Sequence, residues 1–282
     1  MTFRAAGQAM VSAWRRADGH DLLMLASSPA YAAVLSVFPL LIAVIALLSR
    51  MVDPAEAREA VLRAMGPYLP EQALALVRQT LESALRARTT AGFAGIIGLL
   101  WGATAMTGSL RGALNRVVGA APPAYWRRKL IDFAMVIAGG VFLSLSLLVS
   151  AVHAVVGMRA VPLVWLSRWV GDDLVARLFA TAGPVVFSTA AFYIAYRFLL
   201  NVRAGRQSLL WGTLVAMILF EALKRVFFWY LHTVARYPLV YGPLAGFVVF
   251  MIWVYLVAVV VLFGAEVLAV VHEMDTKGQT RA

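Results

Sequence analysis

Residues 244–271 read LAGFVVFMIWVYLVAVVVLFGAEVLAVV, 28 positions whose one charged residue is Glu266. Crossing the hydrocarbon core of a bilayer takes about 20 apolar residues, so this stretch is long enough to span it. Glu266 sits about six residues before its end. A lone carboxyl at that depth must find a partner or face a water-filled space.

Five further apolar runs lie upstream, at about Pro29–Leu48, Phe93–Leu114, Leu130–Val156, Leu178–Leu200 and Leu209–Leu231. The whole chain of 282 residues is 62% hydrophobic and only 14% charged, and its mean hydropathy is +0.82. That leaves too little polar surface to cover a soluble globule. The expected fold is therefore all-α: a polytopic membrane protein with six transmembrane helices in one domain over 1–273. The tail, 274–282, is polar and expected to be disordered.

An even number of spans puts both termini on one side. With the N-terminus in the cytoplasm, thirteen Lys and Arg fall inside and ten outside. Six of those ten (Arg50, Arg58, Arg63, Arg78, Arg86 and Arg88) lie in one segment with five acids, and the inside excess sets the orientation. The net charge of +11 is concentrated in short connections, as expected for contact with anionic lipid headgroups rather than nucleic acid. Membrane lipids are thus the expected partners. A second copy of the chain and proteins of an envelope complex are further candidates.

Two segments outside the apolar runs have helical patterns. Near the N-terminus, Phe3, Met10 and Trp14 share a face with Ala6, Ala13 and Ala17, which suits an interfacial helix. Between the first two runs, Pro54 and Pro70 mark helix starts, and Leu74, Val77, Leu81 and Leu85 line one face opposite Glu71, Arg78 and Glu82. This predicts an outer helical hairpin over about 53–88. The sequence Gly119-Ala120-Ala121-Pro122-Pro123, followed by Trp126, Arg127, Arg128 and Lys129, reads as a turn and then an interfacial anchor.

Charges within spans are the candidate functional residues. Glu221 is the deepest, twelve residues into the fifth run, or roughly 18 Å at the helical rise. Lys224 and Arg225 follow at spacings of three and four, so a local ion pair or a cavity-facing site are both open readings. Glu266 and Arg111 lie at matching depths in the sixth and second runs, which suggests an interhelical bridge with Asn115 and Arg116 one turn away. Gly98-xxx-Gly102 and Gly108-xxx-Gly112 suggest close helix packing. Pro39 and Pro184 fall within spans and would kink them.

With four His, no Cys and no clustered carboxylates, neither a metal site nor a disulfide is expected. His153 and His232 stand alone. No Ser-His-Asp set, phosphate loop or paired carboxylate is present either, so no cofactor and no enzymatic activity are expected.

The motifs in these runs are similar to one family. They are Ala30-Tyr31 with Ser36-Val37-Phe38-Pro39-Leu40, Leu110-Arg111-x3-Asn115-Arg116, and Tyr196-Arg197-Phe198-Leu199 with Asn201. Gly212 with Glu221-x2-Lys224, Tyr241-Gly242-Pro243-Leu244-Ala245-Gly246 and Gly264-Ala265-Glu266 complete the set. Together they resemble the YihY/virulence factor BrkB family of bacterial inner-membrane proteins, once labelled ribonuclease BN. Where the family commonly has Pro before the Asn, this chain has Leu200.

The resemblance implies a six-helix inner-membrane protein with a role in moving or handling lipids or other amphiphiles. It marks Pro39, Tyr241, Gly242 and Gly264 as structural motif residues. Two function classes follow. A transporter or exporter would place Arg111, Asn115, Glu221, Lys224, Arg225 and Glu266 along a polar route. A non-transporting scaffold would seal Glu221 with its own Lys224 and Arg225.

Overall fold

The computed structural model describes residues 3–48, 54–66, 71–86, 92–121, 126, 128–135, 172–202, 204–233 and 245–279. Among these residues the elements are helices, without strands. In chain order they are α1 (Phe3–Gly19), α2 (Leu22–Leu48), α3 (Pro54–Met65), α4 (Glu71–Arg86), α5 (Gly92–Val117), α6 (Asp172–Leu199), α7 (Arg206–Thr233) and α8 (Ala245–Gln279). A further helical stretch covers 128–135.

Five of the six apolar runs thus lie in α2, α5, α6, α7 and α8, apart from Leu244 and Leu200 at their edges. The third is described only over its first residues. Among the described residues one helix, Ala245–Thr276, is both long and apolar enough to cross a membrane, while Leu22–Ser36 and Val185–Leu199 are shorter apolar stretches. The Tyr241-Gly242-Pro243 motif and His153 lie outside the described residues, as do the side chains of Pro39, Pro184 and His232. The helices α2 and α6 run through Pro39 and Pro184.

Helix α8 is the central post. It touches α1, α2, α4, α5 and α7, while α5 packs along α2 and α6 along α7. A continuous apolar core draws Leu22, Ala26 and Val34 of α2, Val77 and Leu81 of α4, Leu114 of α5, Tyr196 of α6, Phe220 of α7 and Trp253 of α8 together. Phe192, Phe220 and Trp253 meet in turn through tilted and edge-on ring contacts. Such pairs add stabilisation beyond their buried area.

The predicted 53–88 hairpin is present as α3 and α4. Ala73, Val77 and Leu81 are buried, whereas Glu71 and Arg78 are exposed. Apolar residues at spacings of four make a stripe, and that stripe docks on α2 and α8. Arg58 of α3 bridges to Glu82 of α4 at 3.4 Å and to neighbouring Glu59 at 3.0 Å.

At the other end, α1 lies against α8. Ala9 and Ala13 pack on Val267, Val270 and Val271 with Val215 of α7. Met10 and Trp14, expected on the same face as Ala13, are instead largely exposed, although Trp14 meets the Phe263 ring edge-on at 6.1 Å. The small residues make the close contact because only they let the two helices approach. The turn into α2 places Asp21 in the left-handed region (φ 48°). Helix α8 continues to Gln279, past Met274, from which composition suggests a disordered tail.

Two crossings depend on glycine. A Cβ on Gly212 would lie 2.7 Å from Leu268 Cβ and 2.8 Å from the Gly264 carbonyl oxygen. One on Gly264 would collide with the Tyr196 hydroxyl and lie 2.8 Å from Ala216 Cβ. That hydroxyl donates to the Val261 carbonyl at 2.7 Å, so it cannot swing aside freely. Between α2 and α5, the Ser36 hydroxyl donates to the Gly102 carbonyl, and a Cβ on Gly102 would come within 3.1 Å of Ser36 Cα.

Gly264→Ala is expected to cost about 1–3 kcal/mol through overpacking. Gly7→Ala, where among the described residues no atom outside the local helix backbone lies within 4 Å of the added carbon, is expected to be neutral or to stabilise by up to about 1 kcal/mol. Thermal unfolding in detergent compares them, and equal midpoints would dismiss the close α7–α8 crossing.

Candidate polar site at the α5, α6 and α8 ends

The last turns of α5 carry the Arg111-x3-Asn115 motif, whose spacing places both side chains on one face. Arg111 is 2% exposed. Its guanidinium donates to Asp132 Oδ2 at 2.6 Å and to the Arg128 carbonyl at 2.9 Å. Gly108 lines the approach, since a Cβ there would come 3.5 Å from the same Asp132 oxygen.

Asn115 uses both ends of its amide. Its Nδ2 donates to the Arg111 carbonyl at 2.8 Å and the Leu199 carbonyl at 2.7 Å, while Oδ1 accepts the Asn201 backbone N–H at 2.7 Å. The last carbonyls of a helix lack intrahelical donors. Asn115 therefore caps α6 and fixes α5 against its exit. Helix α5 closes in a Schellman turn: the Ala120 N–H reaches the Asn115 carbonyl at 2.9 Å and Gly119 N–H that of Arg116 at 3.2 Å. Gly119 takes the left-handed conformation this requires (φ 68°).

The expected Glu266–Arg111 bridge is not formed. Glu266, with no exposed side-chain area, pairs with His20 Nδ1 at 2.6 Å and Arg16 Nε at 3.5 Å. Arg16 also reaches Glu273 at 2.5 Å. Asp132 takes Arg111, and α1 brings cations to Glu266. Both pairings join helices that the sequence spacing alone does not bring together.

Glu221 pairs with Lys224 at 2.7 Å, as the local reading of that spacing expects. Lys224 is 8% exposed, and its ammonium lies 5.1 Å from the Phe220 ring centroid, a cation–π distance. Arg225 is exposed and forms no ion pair among the described residues. Five of the six candidate residues therefore fall into three groups, Arg111 with Asn115, Glu266 with α1, and Glu221 with Lys224, and Arg225 stands apart.

Two clefts flank the end of α5. One, about 530 Å³, is lined by Arg111, Asn115, Arg116, Arg128, Lys129, Asp132 and Asn201, among others. The other, about 580 Å³, is lined by His20, Ser27, Ser28, Ser109 and Met24, and it shares Gly112 and Arg116 with the first. The Gly108-xxx-Gly112 spacing suggests close packing, yet no described atom outside the local helix backbone lies within 4 Å of a Cβ built on Gly112. No group of three or more His, Asp or Glu suited to a metal ion comes together among the described residues.

Asp132, Arg16 and His20 were not singled out from sequence. Asp132 had a legible signal: it is an acid two residues into the third apolar run, where a charge is expensive. Arg16 and His20 had none, because they precede the first span and look solvent-facing.

A profile of the family described as virulence factor BrkB matches residues 13–282. The chain is 45% identical over 83 residues to a UPF0761 membrane protein of Alkalilimnicola ehrlichii, covering 29% of this chain and 19% of that protein. A UPF0761 membrane protein of Klebsiella pneumoniae is 34% identical over 111 residues, or 38% of this chain and 37% of the relative. One of Vibrio cholerae is 39% identical over 101 residues, covering 36% and 34% respectively. The matched stretches thus span between 19% and 37% of these relatives' lengths. No solved structure matches the chain.

Removing one partner of a buried ion pair strands the other. Arg111→Leu is expected to destabilise by about 3–5 kcal/mol, while Arg111→Leu with Asp132→Leu recovers most of that loss. Denaturation in mixed micelles measures both, and additive losses would show that the two side chains do not act as a pair. For the second cluster, Arg16→Ala with His20→Ala is expected to speed tryptic cleavage at Arg15 by loosening α1. Unchanged cleavage would mean that Ala9 and Ala13 hold α1 without the ion pairs.

Proposed function

We propose, because this chain belongs to the virulence factor BrkB family, that it is an integral membrane protein that transports or exports lipids or other anionic amphiphiles of the bacterial envelope. Six helices would cross the inner membrane, with both termini in the cytoplasm and no catalytic or cofactor chemistry. The observation that carries the reading is the pair of polar clefts meeting at Gly112 and Arg116. The first is lined by four cations, Arg111, Arg116, Arg128 and Lys129, against one acid, Asp132. A positively charged concavity at the end of an apolar bundle suits an anionic headgroup whose chains stay in lipid.

The Glu221–Lys224 pair does not belong to this route. It neutralises itself and lines neither cleft. That feature favours the competing reading, a membrane scaffold, for which helix crossings at Gly102, Gly212 and Gly264 matter and the clefts do not.

The test is movement of a labelled anionic phospholipid between leaflets of reconstituted vesicles. The wild-type chain is expected to exceed protein-free vesicles, and Gly112→Trp, which fills the shared wall, to lose most of that excess. Glu221→Gln is expected to leave it unchanged. Movement equal to protein-free vesicles would favour the scaffold.

A further inference from the structure

The cation-lined cleft has an internal contrast that net charge alone does not explain. Asp132 is 2% exposed, and its two oxygens differ: Oδ2 accepts from Arg111 at 2.6 Å, whereas Oδ1 is buried with no hydrogen-bond partner among the described residues. A buried carboxylate oxygen left without a donor is costly, and this one belongs to a residue lining the cleft.

Arg116 and Lys129 line the same cleft, are exposed, and form no ion pair among the described residues. Lys129 lies three residues before Asp132 in the helical stretch 128–135, so the two share a side of it. One wall therefore carries two exposed cations and, buried beside them, one acceptor without a donor. Leu130 and Phe133 stand exposed on the same stretch and Met106 on α5, apolar surface that acyl chains can cover.

We infer that the wall formed by Arg116, Lys129 and Asp132 recognises a phospholipid whose phosphodiester headgroup carries its own hydrogen-bond donor, an ammonium or a hydroxyl. The phosphate lies between Arg116 and Lys129, and the donor reaches Asp132 Oδ1. This deepens the reading of the cleft as a headgroup site and rests on it. Phosphatidylethanolamine and phosphatidylglycerol meet the requirement. Phosphatidylcholine has the same phosphate and a positive charge but no donor, because its nitrogen is fully methylated.

Binding of short-chain forms of these three lipids to the detergent-solubilised full chain, followed by intrinsic tryptophan fluorescence, tests the inference. Phosphatidylethanolamine and phosphatidylglycerol are expected to bind roughly tenfold or more tightly than phosphatidylcholine, the scale of a hydrogen bond to a charged group. Arg116→Gln and Lys129→Gln, both at exposed positions, are expected to weaken all three alike. Asp132→Asn is expected to reduce the preference selectively.

Equal affinity for the three lipids in the wild-type chain would overturn the donor reading, whether or not Asp132→Asn folds. Equally tight binding of deacylated glycerophosphoethanolamine would overturn the lipid assignment. Leaflet movement separates the two ideas. Selective binding without movement removes transport and leaves the headgroup site, whereas movement without selectivity removes the headgroup site alone.

Discussion

A carboxylate with no exposed area, Glu266, sits in the helix that most of the others pack against. Burying an unpaired charge costs several kcal/mol, and α8 offers Glu266 no cation within a turn: its neighbours at three and four residues are Phe263, Leu262, Ala269 and Val270. The partner has to come from another element. Arg16 and His20 supply it from α1, and Arg16 extends the contact to Glu273 two turns along α8. A surface helix is thereby fixed to the central post, with Ala9 and Ala13 making the approach close enough.

The same constraint acts a few helices away with a different solution. Arg111 needs an acid and finds Asp132, in the helical stretch 128–135 that follows α5. Asn115 then satisfies the exit of α6. Arg111, Asn115 and Asn201 thus do structural work in the wall of a cleft, while Arg116 and Lys129 are left for solvent or ligand. Arg111 and Asn115 are tied to neighbouring backbone and to Asp132 Oδ2, which leaves the exposed charges beside them for recognition.

How much of this could be read in advance differs from residue to residue. The Glu221–Lys224 pair was legible because both members lie on one helix, where a spacing of three fixes their proximity. Gly264 was marked by its motif, but its partners Gly212, Ala216 and Tyr196 come from two other helices. Gly112 was misread: glycine spacing signals that two backbones can approach, not that they do, and here the space opens into clefts. Depth matching put Arg111 and Glu266 in one layer, yet each took a different partner because a layer contains many pairings and only packing chooses among them.

The sequence by itself determined the helical class, the positions of the long apolar helices, the α3–α4 hairpin and the list of charges that cannot be left alone. These follow from local periodicity and from the free energy of moving charge out of water, both written along the chain. Tertiary structure alone decided which cation meets which acid, that α1 belongs to α8, and that the polar clefts open beside Gly112. Those depend on how helices distant in sequence are brought side by side, and that arrangement is set by the packing of their apolar faces.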